Sequence, residues 1–249
     1  MAAVREALNL FVRQFALALH HSTRLRFGGT WAAPADADPD ALRASDAHLP
    51  GAGWIVGLAA CLSFAVVALL LRGNPWGPAA AAIASVAATL LMTGARAESA
   101  LFRAADQLGA ATSVSGASGR GVMALVLVLT GKIVLLAAMA SVSEARVMAA
   151  LFAGHVLSRL APVVLSQRDP DARDPARVMR VAALWCLAPL LLMIAAGGAP
   201  FVVLALLGGS LACYAMLRRF AGGPRTSELA AASQPLCELA FYLGASIGA

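Results

Sequence analysis

Residues 181–217 read VAALWCLAPLLLMIAAGGAPFVVLALLGGSLACYAML, a stretch without one charged side chain. A hydrocarbon core about 30 Å thick is crossed by roughly 20 apolar helical residues, so this run holds two crossings. The Gly-Gly-Ala-Pro at 197–200 divides them, because glycine and proline punctuate helices, and the reading is a tight hairpin of spans 181–198 and 200–217. Outward from it, comparable windows recur at 53–71, 76–94, 122–140, 147–166 and 229–248, which makes seven spans. Six is the competing count, since the last window carries Ser233, Gln234, Pro235 and Glu238. The chain of 249 residues is 60% hydrophobic and 13% charged, against about a quarter charged in soluble proteins. A water-soluble domain of this size could not hide so much apolar surface. The expected fold is all-α: one membrane-embedded domain over 1–249, a polytopic helical bundle of about seven spans. Before it, Leu8, Phe11, Phe15 and Leu19 suit an amphipathic helix at the interface, and Arg5, Glu6, Arg13 and Gln14 interrupt any apolar core of a cleaved signal.

The net charge of +6 does not imply nucleic acid. Arg5, Arg13, Arg24, Arg26 and Arg43 precede the first span; Arg96, Arg103 and Arg120 follow the second; Arg168, Arg173, Arg177 and Arg180 follow the fourth; Arg218, Arg219 and Arg225 follow the sixth. The other connections hold only Arg72 and Arg146, so the bias is fifteen against two. This is the positive-inside pattern, and it puts the N-terminus and the even-numbered loops in the cytoplasm. Cys61, Cys186, Cys213 and Cys237 lie singly in apolar spans, without the paired spacings of zinc or redox sites.

Two polar stretches interrupt the rhythm. Residues 30–50, with Asp36, Asp38, Asp40 and Asp46, read as a solvated loop. Residues 95–120 carry Glu98, Arg103 and Asp106. If the second helix continues there, the eight-residue step from Glu98 to Asp106 is a little over two turns and puts both carboxylates on one face. Such a face near a membrane can hold a divalent cation; ordinary surface charge on a helix extension is the alternative. Inside the spans lie Lys132, Arg159 and Glu238. A charge at such depth costs at least about 2.5 kcal/mol on insertion scales and calls for a partner, and a Lys132–Glu238 pair would satisfy two of them. A transporter would show polar residues spread through several spans and an internal repeat. Here the polar residues gather at helix ends on one predicted side.

In order along the chain, Ser22-Thr23-Arg24-Leu25, the Leu49-Pro50 to Gly57 entry, Leu91-Met92-Thr93-Gly94, Gly121 to Lys132, Ser158-Arg159, and Gly222-Gly223 with Glu228 and Glu238 resemble segments of the cobalamin synthase family. These are membrane adenosylcobinamide-GDP ribazoletransferases. The resemblance is collinear across nearly the whole chain. It implies that α-ribazole or its 5′-phosphate is joined to adenosylcobinamide-GDP with release of GMP, with magnesium as cofactor. Phosphoryl transfer of this kind rests on metal-bound carboxylates that neutralise charge and keep the reacting oxygens in line. The family signature His-x-Asp-Gly-x-x-Asp-x-x-Asp falls on 97–106. Ala97, Ser99 and Arg103 replace its first three ligand positions and Asp106 keeps the last. The Asp-Ser-Arg element that follows in the family is absent, leaving Ser115-Gly116-Ala117, and 224–227 intervene before Glu228.

A shifted magnesium and catalytic set of Glu98, Asp106 and Glu228 is therefore the expectation from the resemblance. Arg96, Arg103 and Arg225 are the phosphate-binding candidates, and Lys132, Arg159 and Glu238 would serve the substrate from inside the bundle. An arginine among metal ligands repels the metal, which supports a second class of function: a catalytically inactive member acting as a membrane scaffold or corrinoid-binding partner. The implied partners are adenosylcobinamide-GDP, α-ribazole or its phosphate, membrane lipid, and other cobamide-assembly proteins. Gly208 and Gly209 offer close-packing surface to a second copy or within one bundle.

Overall fold

A computed structural model describes residues 2–26, 38–110, 119–167, 174–219 and 227–248, and every regular element among them is helical. Helix α1 (Ala2–Ser22) has the expected two faces. Leu19 is buried and Leu8 exposed, while Phe11 and Phe15 stack on Trp185 with ring centroids 6.0 and 5.5 Å away. His48 joins this cluster, within reach of Gln14 Oε1 at 3.3 Å and accepting at Nδ1 from Trp185 Nε1 at 3.3 Å.

The stretch read as a solvated loop is helical from its described start onward. Asp38 caps α2 (Pro39–Ser45) by accepting from the Asp40 N–H at 3.4 Å, and proline occupies the first turn. An acidic cap followed by proline is a helix start, since proline gives up an N–H that has no partner there. A 3₁₀ turn (Asp46–His48) with Ala47 and His48 buried leads straight into α3 (Leu49–Leu70), which begins ahead of the expected window at 53. Then come α4 (Gly77–Thr93), α5 (Arg96–Ala110), α6 (Arg120–Val142), α7 (Glu144–Leu157), α8 (Leu160–Ser166), α9 (Pro175–Arg219) and α10 (Ser227–Ile247).

The protein is a multi-pass membrane protein. Among the described residues four lengths of helix are long and apolar enough to cross a membrane, and up to five if the bent pair α4–α5 counts as one span. The seven windows map onto these unevenly. Windows 181–198 and 200–217 share α9, which breaks at Gly198 (φ 76°, ψ −174°), a conformation essentially confined to glycine. Window 229–248 is α10, outside the four because Gln234, Pro235 and Glu238 dilute its apolar run.

The two parts of α9 serve different neighbours. Before the break, the Trp185 carbonyl accepts from Trp54 Nε1 of α3 at 3.0 Å. After it, α9 lies so close to α10 that a Cβ at Gly208 would strike the Ala240 carbonyl, and one at Gly244 the Leu204 carbonyl. Gly208 is thus used for packing within the chain, while Gly209 meets its neighbours at an ordinary 3.7 Å. Small residues dominate the interior generally: Ala52, Ala60, Ala81, Ala150 and Ala153 are buried, whereas Leu58, Leu62, Leu69, Leu127 and Leu191 face outward. Lipid removes the drive to bury leucine, so helices approach through small side chains and leave the large ones to the acyl chains.

Candidate active site

A sharp bend positions the site. Gly94 ends α4 in the left-handed conformation (φ 68°), its N–H closing on the Leu90 carbonyl, and Ala95 follows with φ 52°. Glycine enters that region freely, whereas for alanine it costs of order 1–2 kcal/mol. The outcome is an 88° turn that sends α5 away from the line of α4 and against α6 and α10. Glu98, Arg103 and Asp106 are carried there together.

Beneath α5 lies a buried ionic network. Lys132 Nζ on α6 stands 3.0 Å from Glu238 Oε2 on α10 and 3.8 Å from Glu98 Oε1. Glu238 Oε1 lies 3.5 Å from His155 Nδ1 and accepts from the Tyr242 hydroxyl at 3.0 Å. Arg159, 2% exposed, donates from Nη1 to the His155 carbonyl, and its Nε has no hydrogen-bond partner. Two cations and two carboxylates balance, as buried charge requires. The expected Lys132–Glu238 pair is present, and Glu98 and Arg159 join it. His155 and Tyr242 were not anticipated; the signal was their spacing, one helical turn from Arg159 and from Glu238.

The other candidates separate. Arg103 Nε donates to Glu228 Oε1 at 2.7 Å, a pair about half exposed that ties α5 to the start of α10. Asp106 Oδ1 accepts from the Gly121 N–H at 2.9 Å and so satisfies a donor in the first turn of α6. Arg96 reaches instead the carbonyls that end α1. Arg225 lies outside the described residues, as do Ser115-Gly116-Ala117 and Gly222-Gly223. Glu98 and Asp106 both turn toward α6, yet Glu98, Asp106 and Glu228 each engage a different cation or donor. Among the described residues no three His, Cys, Asp or Glu side chains gather where a metal ion could sit. As arranged, these carboxylates do not fit magnesium, which needs near-octahedral oxygen ligation.

Between the bend and α6 opens a cavity of about 460 Å³, bordered by Leu90, Glu98, Ser99, Phe102, Arg103 and Leu129. Its apolar wall carries one carboxylate, one guanidinium and one hydroxyl, the usual make-up of a small-molecule pocket. Behind it, Glu98 connects the cavity to Lys132 and the interior.

Fold and site together define a multi-pass helical membrane protein with a charged cavity at a helix bend, backed by an ion network inside the bundle. Residues 14–246 match the family model of cobalamin-5-phosphate synthase, and the chain belongs to that family. It is 33% identical to an adenosylcobinamide-GDP ribazoletransferase of Polaromonas sp. over 96% of this chain and 98% of the relative. It is 33% identical to that of Polaromonas naphthalenivorans (95% and 98%), and 31% identical to that of Albidiferax ferrireducens (97% and 100%). No solved structure matches.

Proposed function

We propose that this chain is an adenosylcobinamide-GDP ribazoletransferase of cobalamin biosynthesis, working at the cytoplasmic face of the bacterial inner membrane. The observation that carries this reading is end-to-end similarity to relatives of that name, which span nearly the same length. The arginine bias of the sequence supports the sidedness. In the reaction one P–O bond forms to the incoming ribazole oxygen, the P–O bond to GMP breaks, and the attacking hydroxyl loses its proton.

The cavity supplies groups for each part. Glu98 faces it with Lys132 3.8 Å behind, so the carboxylate is positioned to take that proton. Arg103 stands beside it as a fork for phosphate oxygens on which charge develops. A cavity of this volume admits the reacting phosphates or one ring system, and leaves the bulk of a corrinoid outside at the membrane surface. Magnesium, expected from the resemblance, has no ligand set among the described side chains.

GMP release by the lipid-reconstituted protein, supplied with adenosylcobinamide-GDP and α-ribazole 5′-phosphate, tests the reading. Turnover is expected above a protein-free control, with Glu98→Gln lowering kcat by about 100-fold. For Arg103→Gln a loss of similar size is expected, with little change in melting temperature because a half-exposed ion pair contributes at most about 1 kcal/mol. No release from folded protein that still binds the corrinoid substrate would favour a scaffold instead.

A further inference from the structure

His20 and His21 end α1 beside the α4–α5 bend, and three arginines converge on that point. Arg96 Nη1 donates to the carbonyl of His20 at 3.2 Å and to that of His21. Arg26 Nη1 stands 2.5 Å from His20 Nε2. Arg24 is anchored through its backbone N–H to the Met92 carbonyl at 2.8 Å, and its side chain lies over Gly94, where a Cβ would come 2.6 Å from Nε. All three arginines are exposed, and none enters an ion pair among the described residues.

The carbonyl end of a helix offers about half a negative charge, far less than three guanidinium groups require. A positive-inside bias places arginines on one side of a membrane, but it does not gather three at one helix end with no carboxylate paired to them among the described residues, where they repel one another. Both imidazoles are held below their ordinary pKa, first by burial and then by the neighbouring positive side chains, Arg26 and Arg96 for His20 and Arg96 for His21.

We propose that Arg24, Arg26 and Arg96, set around the end of α1, form a phosphate-binding site at the membrane surface. Its ligand is either the diphosphate of a nucleotide-linked substrate or the headgroup of an anionic phospholipid. Guanidinium forks recognise both bidentately. Arg96 adjoins Ala95, which borders the cavity, so this site neighbours the one that holds Glu98 and Arg103. The substrate alternative rests on the transferase reading; the lipid alternative does not.

The test is titration of GDP into the full chain in nanodiscs of phosphatidylcholine alone, comparing it with Arg24→Gln/Arg26→Gln, which leaves Arg96 to close α1. A substrate site predicts GDP binding by the parent protein and a Kd at least about tenfold higher in the variant, the equivalent of 1.4 kcal/mol or more. In parallel, native mass spectrometry counts phosphatidylglycerol retained from mixed-lipid nanodiscs. Loss of that lipid in the variant, with GDP bound by neither protein, assigns the site to lipid headgroups. Unchanged GDP affinity and unchanged lipid retention overturn the proposal. Near-UV circular dichroism checks folding, and Arg26→Gln alone serves if the double variant fails it. Absent turnover with arginine-dependent GDP binding would sink the transferase reading and leave this one standing.

Discussion

Glu238 is the pivot of the buried network, facing Lys132 and His155 and accepting from Tyr242. Replacing it with glutamine leaves Lys132 with only the longer 3.8 Å contact to Glu98. Breaking a buried pair costs about 3–5 kcal/mol, so Glu238→Gln is expected to lower the melting temperature sharply in detergent, with Lys132→Met doing the same. The double variant is expected to recover most of that loss; equal or greater damage in the double variant would show that the pair does not act as a unit. The pairing was legible in the sequence because lipid tolerates neither charge alone. The rest of the network was not. A histidine or tyrosine in an apolar helix carries no charge that must be paired, so the four-residue steps to Arg159 and Glu238 are its only signal, and Glu98 reaches Lys132 only because Ala95 adopts a left-handed conformation no alanine advertises.

Among the elements, the contact between α9 and α10 depends on bare backbone. Gly208→Val is expected to destabilise the protein by about 1–3 kcal/mol, as overpacking does, whereas Gly209→Ala, with its nearest neighbours at 3.7 Å, is expected to melt like the parent. Thermal unfolding of the two side by side checks this, and equal tolerance of both would contradict the close approach. The break of α9 at Gly198 was readable from the glycines and proline at 197–200. The helical start at Asp38 is hidden in the sequence, because four aspartates in 30–50 read as solvation while one of them is a cap. Continued helix over 95–120 was a conditional reading of the sequence, and the direction of α5 was not legible at all: an 88° turn is set by two backbone conformations, and hydropathy is blind to both.

For the molecule as a whole, the arginine bias makes a prediction independent of the site. Cysteines introduced in a background lacking the native four, at Arg177 and Arg218, are expected to react with a membrane-impermeant maleimide only from the cytoplasmic side. One at Arg72 or Arg146 is expected to react only from the outside. The opposite labelling would reverse the orientation and move the cavity to the other face. The membrane class was plain from composition alone, since no aqueous fold accommodates such a chain. The number of crossings was harder to read, because α10 carries Glu238 of the network together with Gln234 and Pro235 and so loses the signature of a span. One feature of the α1 junction also has an optical side. Trp185 lies between Phe15, His48 and Trp54, so its indole emission is governed by whether α1 is seated. With Trp31, Trp54 and Trp76 replaced by phenylalanine, Trp185 becomes a fluorophore within the chain that reports, without labelling, whether α1 has left the bundle.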